Sequence, residues 1–278
     1  MPVPRASRLL GEERRRKILE VLDGEGRVMV EELVRRFKVS AVTARADLDA
    51  LAARGVLVRS HGGAVRRVNA VEDYPLTFKQ GLHHAEKVRI AQAAVRLIQP
   101  GQTIVLDSGT TTGQLARQIR QQKLQPLTVI TNALNIAVEL ADTAGVSLMM
   151  IGGILRHVSN SFVGPQAEHM LQDLHADHCF LAVDGLDPEV GLSTPDVLEA
   201  QLNGVMIRIS NQVTAVADAS KFGRRSLSVI CGVEAVERVI TDGRITPEMA
   251  GAIRARGVEV IVAGEPGNPR RLATSGSE

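Results

Sequence analysis

The amino-acid sequence predicts an N-terminal winged helix-turn-helix domain followed by a larger α/β domain with a mostly parallel sheet. Three patterns predict it: three short helices closed by a Gly-Gly hairpin, an alternation of apolar strands and helices beyond them, and a change of charge between the two parts. With 278 residues the chain is long enough for two hydrophobic cores. We expect the winged helix-turn-helix in residues 1–67, a linker in 68–82, the α/β domain in 83–264 and a disordered tail in 265–278.

Charge divides the chain unevenly. Residues 1–68 carry 15 Lys and Arg against 9 Asp and Glu, a net charge of +6, whereas the remaining residues carry 18 against 22, a net charge of −4. The basic N-terminal part, residues 1–68, is called the head below. Its charge suits a polyanion such as DNA, although an ordinary solvated surface can have the same composition. The sequence has neither an apolar run of about eighteen residues nor a signal-peptide core, so we expect a cytoplasmic protein with no membrane partner.

Three helices are predicted in the head. Apolar spacing predicts one helix before Gly26 and a second over Val30–Phe37. A turn of three residues separates the second helix from a third, which begins after the N-cap Ser40 and ends near Gly55. Two helices joined by so tight a turn are typical of a helix-turn-helix.

The third helix is the predicted recognition helix. Its apolar residues recur at i, i+4 and i+7 from Ala44, which commits that face to the core and turns the polar face outward. We expect base-edge contacts in the major groove from Ser40, Thr43 and Arg45. Arg45 suits either a guanine or a phosphate, and the sequence leaves both open.

A basic hairpin follows the third helix. A short strand, the turn Ser60–Gly63 and a return strand predict the wing of a winged helix. Four of its side chains are expected near DNA phosphates: Arg59, His61, Arg66 and Arg67. The alternative is a small helical module that binds protein, but the tight turn, the polar outward face and the basic wing in this order favour DNA.

Residues 14–64 resemble the N-terminal signature of the DeoR family of regulators. The family pattern V-S-x-x-T-I-R-R-D-L, followed by L-x-x-x-G and R-x-H-G-G-A, is matched by VSAVTARADL, by LAARG and by RSHGGA. The chain departs from this pattern at Ala44, where the family usually has Ile, and at Ala46, where a second Arg is frequent. Ala46 faces outward, so one contact that the resemblance implies is missing.

Beyond the head, apolar strands alternate with helices. Helical patterns include His83–Ile98, Asn135–Ala141 and Glu248–Ala255. Seven apolar runs have strand length: Thr103–Leu106, Thr128–Thr131, Val146–Ile151, Cys179–Val183, Thr214–Ala217, Val239–Thr241 and Val258–Val262. This alternation predicts a mostly parallel sheet covered by helices on both faces.

Polar clusters follow several of these strands, where ligands collect in such sheets. The hydroxyl-rich loop Asp107–Thr112 leads into a helix and suits a phosphate, although an ordinary capping loop has the same residues. Arg156 and Lys221 are expected to neutralise a phosphate, and Asn132 and Asp184 to bind sugar hydroxyls. The full set of expected effector-binding residues is Asp107, Ser108, Gly109, Thr110, Thr111, Thr112, Thr131, Asn132, Gly152, Gly153, Arg156, Asp184 and Lys221. Phe162, Glu199 and Asn203 are expected to face the sugar.

The DeoR resemblance continues through this domain. DSGTTT, ITN, GGxxR, VDG with GLST, and DASKF recur in the family's sensor domain, which is similar in fold to ribose-5-phosphate isomerase and glucosamine-6-phosphate deaminase. Residues 97–112, 145–168 and 180–194 most resemble family members that control N-acetylgalactosamine operons. The resemblance implies a repressor of sugar-catabolic genes, a homo-oligomer (dimer or tetramer) and a phosphorylated sugar effector such as N-acetylgalactosamine 6-phosphate or galactosamine 6-phosphate.

An alternative is a sugar-phosphate isomerase or deaminase that carries a DNA-binding head. The deaminases have a D-G-H run where this chain has Asp184-Gly185-Leu186. Leucine cannot transfer a proton, which disfavours catalysis, although Asp184 alone remains a potential base. We therefore expect a regulator without catalytic residues.

The remaining histidines and cysteines predict no cofactor or metal. His175 and His178 lack further ligands nearby, so a metal is disfavoured. His83–His84 is expected to be a solvated helix start. Cys179 and Cys231 lie in apolar surroundings and are expected to be reduced core residues.

Overall fold

A computed structural model describes residues 10–53, 57–66 and 73–264 of the chain. The chain divides into two compact units between Glu72 and Asp73. The predictions for Arg67, for the side chain of Arg66 and for the tail 265–278 lie outside the described part.

The N-terminal unit is a helix-turn-helix with a small sheet. Its described elements are α1 (Gly11–Glu25), β1 (Arg27–Met29), α2 (Val30–Phe37), α3 (Ala41–Ala53), β2 (Leu57–Ser60) and β3 (Gly63–Arg66). The three strands are antiparallel in the order β1-β3-β2. The predicted helices and hairpin are therefore confirmed, and β1, a three-residue strand too short to show a period, adds a third strand to the wing.

Local chemistry sets the helix ends in this unit. Gly26 ends α1 in the left-handed region at φ 70° and donates its N–H to Leu22 at 2.8 Å. Lys38 takes a similar conformation after α2, which starts the tight turn. The hydroxyl of Ser40 accepts the Thr43 N–H at 3.1 Å, as expected of the N-cap of α3. Ile18, Leu22, Leu33, Leu48 and Leu51 form the buried centre that these helices share.

The second unit is an α/β domain. Its described helices and strands are α4 (Leu76–Gly81), α5 (His84–Ala94), β4 (Thr103–Leu106), α6 (Thr110–Gln122), β5 (Leu127–Thr131), α7 (Leu134–Leu140), β6 (Val146–Met150), β7 (Ile154–Arg156), β8 (Ser161–Val163), α8 (Pro165–Leu171), β9 (Ala176–Ala182), β10 (Gly185–Asp187), β11 (Gly191–Thr194), α9 (Val197–Arg208), β12 (Ser210–Val216), β13 (Ser228–Cys231), β14 (Arg238–Asp242), α10 (Pro247–Arg254) and β15 (Glu259–Ala263).

Seven of these strands form one parallel sheet in the order β15-β14-β12-β9-β4-β5-β6. Each overlaps one of the seven predicted strands, so the mostly parallel sheet is confirmed. The sheet has a hydrophobic cluster on each face. In β4, Ile104 and Leu106 belong to one cluster and Val105 to the other, as the alternation of side chains along a strand requires.

Two smaller sheets lie outside the predictions. The strands β7 and β8 form a hairpin, and β10, β11 and β13 form a three-stranded antiparallel sheet. The strands β7, β8 and β10 have only three residues each, too few to show an alternation in the sequence.

Three local expectations are corrected. Residues 76–81, within the expected linker, form the helix α4, which is too short to show a helical period. His83 is buried rather than solvated, and its Nδ1 lies 2.9 Å from the Arg244 guanidinium. Of the two free cysteines, Cys179 is in the core and Cys231 is only half-buried at its edge. No helix in the described ranges is long and apolar enough to cross a membrane.

Candidate DNA interface and effector site

The recognition helix α3 presents the predicted contact residues together. Ser40 and Arg45 are exposed, Thr43 is half-buried, and all three lie in the turn before α3 or in its first turns. The hydroxyls of Ser40 and Thr43 are 2.9 Å apart, so they hold each other at the helix start. Ala46 is also exposed, in agreement with its predicted outward position. The structure thus groups Ser40, Thr43 and Arg45 on one accessible surface, and their contact with DNA stays a prediction.

A buried ion pair joins the inward face of α3 to α1. Asp47 is 2% exposed, and its carboxylate accepts from the Arg14 guanidinium at 2.5 and 3.2 Å and from Arg15 at 3.2 Å. Two of the basic residues in the head are therefore directed inward. The sequence analysis missed this pair, although Asp47 lies between Ala44 and Leu48 on the apolar face, where a charge calls for a partner.

The wing is tied to the recognition helix by Arg59. Its Nε donates to Asp49 of α3 at 2.8 Å, and its Nη1 donates to the Gly63 carbonyl. Gly63 has no room for a side chain, because a Cβ there would lie 2.1 Å from the Val28 carbonyl of β1. His61 is exposed at the tip of the hairpin. Arg59 thus braces the wing, and its contact with a phosphate remains a prediction.

The expected effector residues of the second unit lie at one end of the parallel sheet. The strands β12, β9, β4 and β5 are neighbours, so the loops that follow them meet at the same edge. The loop after β4 is fastened to β9, because Asp107 Oδ2 accepts the Ala182 N–H at 3.3 Å. We call this edge the effector site.

The loop Ser108–Gly109 leads directly into α6. A Cβ on Gly109 would lie 2.6 Å from the Ala182 Cβ and 3.0 Å from the Thr112 hydroxyl, so only glycine fits between this loop and β9. The first N–H groups of a helix have no partner within it, and the helix dipole favours an anion at this end. Among the described residues, the buried hydroxyl of Thr112 has no hydrogen-bond partner. The loop has the donors that a phosphate requires.

Two buried carboxyls support this loop. Asp107 accepts the Ser108 N–H at 2.6 Å, and burial, followed by the nearby Glu199, raises its pKa well above the usual range. Glu199 of α9 accepts from the Ser108 hydroxyl at 3.0 Å and from the Thr194 hydroxyl at 2.9 Å. Burial, followed by the charge of Asp184, raises the pKa of Glu199. Asp107 is therefore a brace beneath the loop, and Glu199 orients Ser108.

The predicted cations are already paired. Asp184 lies between Lys79 at 2.9 Å and Lys221 at 3.1 Å. Burial alone would raise the pKa of Asp184, but these two ammonium groups lower it below the usual range. Arg156 pairs with Asp73 and, at 3.1 Å, with Asp196. Asp184 thus holds two lysines in place, and its contact with a sugar hydroxyl stays a prediction.

The end of β5 and the helix α9 contribute polar side chains, some with partners within the protein and some with an unpartnered oxygen. Thr131 donates to the Leu106 carbonyl at 2.7 Å and accepts the Ala133 N–H, which is a structural role. Asn132 donates its side-chain N–H to the Phe162 carbonyl at 3.0 Å and so links β5 to β8. Within the described ranges, the buried side-chain oxygens of Asn132 and Asn203 have no hydrogen-bond partner.

The glycines after β6 allow a close approach of the backbone. Gly153 has φ 137°, and a Cβ there would lie 2.7 Å from the Val163 carbonyl. Gly152 donates its N–H toward the Met170 sulfur at 3.4 Å. The two glycines therefore start the β7–β8 hairpin that carries Arg156.

The site also contains residues that the sequence analysis missed. Asp73 and Lys79 come from the expected linker, Thr194 ends β11, and Asp196 is the N-cap of α9. Lys87 of α5 is buried and donates to the Lys79 and Leu82 carbonyls at 2.6 and 2.7 Å; burial lowers its pKa to about 8. Most of these contacts join distant parts of the chain and leave no local pattern.

The structure also shows the surroundings of His178, one of the two histidines considered as metal ligands. His178 is buried, lies 2.8 Å from the Thr214 hydroxyl and stacks on Phe180. No group of three or more metal-binding side chains occurs in the part of the chain that the structure describes. Leu186, in place of the deaminase histidine, is fully buried.

Comparisons with known proteins agree with these features. Residues 14–69 match the family described as the DeoR-like helix-turn-helix domain, and residues 82–243 match the DeoR C terminal sensor domain. A protein named putative aga operon transcriptional repressor, from Escherichia coli O157:H7, is 42% identical over 91% of this chain and 94% of its own. The transcriptional repressor AccR of Agrobacterium fabrum is 35% identical over 83% of this chain and 89% of its own.

Two solved structures are similar to this chain only at low TM-scores. A ribose 5-phosphate isomerase from Methanocaldococcus jannaschii is 18% identical with a TM-score of 0.36, and the match covers 49% of this chain and about half of that one, 53%. The translation initiation factor eIF-2B of Pyrococcus horikoshii is 12% identical with a TM-score of 0.42, over 82% of this chain and 87% of that one. Both TM-scores are below 0.5, so neither similarity indicates the function of this chain. The two family matches and the relatives show that the chain belongs to the DeoR family of transcriptional regulators and is a DNA-binding regulator rather than an enzyme.

Proposed function

We propose that the protein represses sugar-catabolism genes and leaves its operator when a phosphorylated amino sugar binds the second unit. The observation that carries the effector class is the Ser108–Gly109 loop, where glycine is required and an anion-binding helix start follows. The name of the 42% identical relative refers to the aga operon. Together with the resemblance to regulators of N-acetylgalactosamine operons, this favours N-acetylgalactosamine 6-phosphate or galactosamine 6-phosphate.

The phosphate is expected at the start of α6. The N–H groups of Gly109, Thr110 and Thr111 and the unpartnered hydroxyl of Thr112 supply hydrogen bonds, and Lys221 and Arg156 supply positive charge. The sugar then extends toward Asn132 and Asn203, whose buried oxygens await donors such as sugar hydroxyl or amide N–H groups. Plain hexose phosphates and amino sugar phosphates both offer such donors, so the choice of an amino sugar rests on the relative named for the aga operon.

On DNA, we expect two copies of the head to bind paired half-sites. One recognition helix offers few base contacts, and linking two heads raises the effective concentration of the second. A dimer or tetramer supplies this linkage. Ser40, Thr43 and Arg45 then read bases, while Arg59, His61, Arg66 and Arg67 lie near phosphates.

A ligand screen tests the effector. The melting temperature of the full-length protein is measured with galactosamine 6-phosphate, N-acetylgalactosamine 6-phosphate, their unphosphorylated forms and glucose 6-phosphate, since a ligand that binds only the native state raises it. We expect a rise with at least one phosphorylated amino sugar and none with the unphosphorylated sugars. Equal shifts with both forms, or stabilisation by glucose 6-phosphate alone, would contradict the proposed effector.

A further inference from the structure

The first segment of the second unit contacts residues of the effector site. Residues Asp73–Gly81, which we call the strap, follow the chain from the DNA-binding unit and end in the helix α4. The strap is fastened by its backbone as well as its side chains: the Leu76 N–H donates to the Val158 carbonyl at 2.7 Å, and Leu76 is buried. Its helix lies against α6, the helix that starts at the proposed phosphate loop.

Both charged side chains of the strap pair with residues of the effector site. The Asp73 carboxylate binds the Arg156 guanidinium, and the Lys79 ammonium binds Asp184 at 2.9 Å. These partners are 83 and 105 residues away along the chain. Arg156 and Asp184 are also residues at which the sequence predicts effector contacts, so the strap and the effector depend on the same groups.

The contact between Asp73 and Arg156 resembles a ligand contact. Carboxylate and phosphate oxygens bind a guanidinium fork in the same way, with charge-assisted hydrogen bonds. The side chains of Asp73 and Arg156 are only 23% and 13% exposed, so solvent weakens the pair less than it would at an open surface. The Asp73 carboxylate therefore occupies a place on Arg156 that suits an anionic group of an effector.

A bound phosphate and Asp73 are expected to compete. In the described residues, Arg156, Lys79 and Lys221 each have a carboxylate partner already. A further anion brings repulsion between negative charges unless one carboxylate moves away. Asp184 directly follows β9 and Asp196 is the N-cap of α9, whereas Asp73 belongs to the strap, at the start of the unit.

We propose that Asp73 is an internal stand-in for the effector's anionic group on Arg156, so that effector binding releases the strap and thereby weakens operator binding. The identity of the effector rests on the proposed function, but the strap itself does not. A state in which the strap is fastened binds DNA well, and a state in which it is released binds the effector well. Each ligand then shifts the balance against the other by the same factor.

Removing the stand-in tests this directly. In Asp73→Asn the carboxylate charge is lost while the side chain keeps its size. Without any sugar, we expect this full-length variant to bind operator DNA about tenfold more weakly, within the range typical of coupling between sites. Its affinity for galactosamine 6-phosphate, measured by calorimetry, is expected to rise because a competitor is gone. Operator affinity within twofold of the wild type would overturn the proposal.

A matched control separates this effect from a general loss of charge. Glu139 also pairs with two arginines, Arg117 at 3.3 Å and Arg120 at 2.9 Å, but on α6 and α7. Glu139→Gln is expected to leave both affinities unchanged. If Glu139→Gln weakens operator binding as much as Asp73→Asn does, the strap has no special role and the proposal fails.

The two proposals fail in different ways. If the wild type binds no sugar phosphate but Asp73→Asn still weakens operator binding, the effector assignment is wrong and the strap stands. If galactosamine 6-phosphate releases the wild type from DNA while Asp73→Asn behaves like Glu139→Gln, the effector stands and the strap is wrong. Hydrogen exchange of residues 76–81 gives a second readout: the sugar phosphate should speed exchange there, and unchanged or slower exchange contradicts release.

Discussion

The carboxylate of Asp47 on α3 accepts hydrogen bonds from the guanidinium of Arg14 on α1 at 2.5 and 3.2 Å. Both residues are less than 10% exposed, so the charges are held away from solvent. Because Asp47 lies on the inward face of α3, the pair sets how the recognition helix sits on its support. The position of the outward face that carries Arg45 therefore depends on a buried ion pair on the opposite side of the helix.

Asp47→Ala is expected to destabilise the N-terminal unit. The change removes the buried carboxylate that accepts from Arg14 and Arg15, and breaking a buried ion pair typically costs about 3 to 5 kcal/mol. Hydrogen exchange of α1 and α3 in the full chain measures this loss. Glu31→Ala is the control, because Glu31 is an exposed carboxylate on the neighbouring helix α2; similar losses for both variants would contradict the importance of the buried pair.

Arg45→Ala is expected to reduce specificity more than general DNA affinity. Arg45 is exposed near the start of α3, the part of a recognition helix that reaches base edges. Loss of a bidentate contact to guanine costs about 1 to 3 kcal/mol on the operator. Binding to operator and to unrelated DNA is compared at one salt concentration. An equal loss on both DNAs would assign Arg45 to a phosphate.

Gly109→Ala is expected to weaken effector binding. The added methyl group would lie 2.6 Å from the Ala182 Cβ, so the loop or β9 must shift. Loss of one charge-assisted hydrogen bond, about 1.5 to 3 kcal/mol, lowers the affinity for galactosamine 6-phosphate roughly tenfold or more. Calorimetry measures this affinity.

Gly251→Ala provides the control for that change. A Cβ on this exposed residue of α10 meets nothing within 4 Å. It should leave effector affinity unchanged and stabilise the helix by up to about 1 kcal/mol. Wild-type affinity in Gly109→Ala would place the phosphate elsewhere.

His178 is expected to make stability depend on pH. Burial, followed by the charge of Arg238, lowers the pKa of His178 to about 4, from 6.5. Between these two values the unfolded chain binds a proton that the folded protein does not, so stability falls as the pH is lowered through this window.

Urea unfolding of the second unit at several pH values measures the effect. His178→Gln should lose less stability than the wild type between pH values of about 6.5 and 4. His84→Gln, a change at an exposed histidine, should follow the wild type. Parallel pH profiles for the wild type and His178→Gln would contradict this role of His178.

The predictable parts of the fold are those with a repeating local pattern. The strands of the large sheet were found because each contains several consecutive apolar or β-branched residues, and α3 was found because its apolar face repeats from Ala44. The position of Asp184 at a strand end was also predictable. Its partner Lys79 was not, because 105 residues separate them and α4 is only six residues long.

Some residues that were predicted to contact the effector instead form hydrogen bonds within the protein. Asp107 and Thr131 have the polar side chains that strand ends use for ligands, but both bind the protein itself. Sequence cannot distinguish a ligand contact from a brace, because that difference depends on the neighbouring strand. Asp47 is the exception, since a charge on an apolar helix face is visible in the sequence.

The most direct test of the central claim measures operator binding with and without the effector. A labelled DNA fragment from upstream of the gene is titrated with the full-length protein, and fluorescence anisotropy reports binding. The account predicts that galactosamine 6-phosphate or its N-acetylated form lowers the affinity for DNA, while the unphosphorylated sugars leave it unchanged. Unchanged DNA affinity with a sugar phosphate that demonstrably binds the protein would contradict release by a phosphorylated amino sugar.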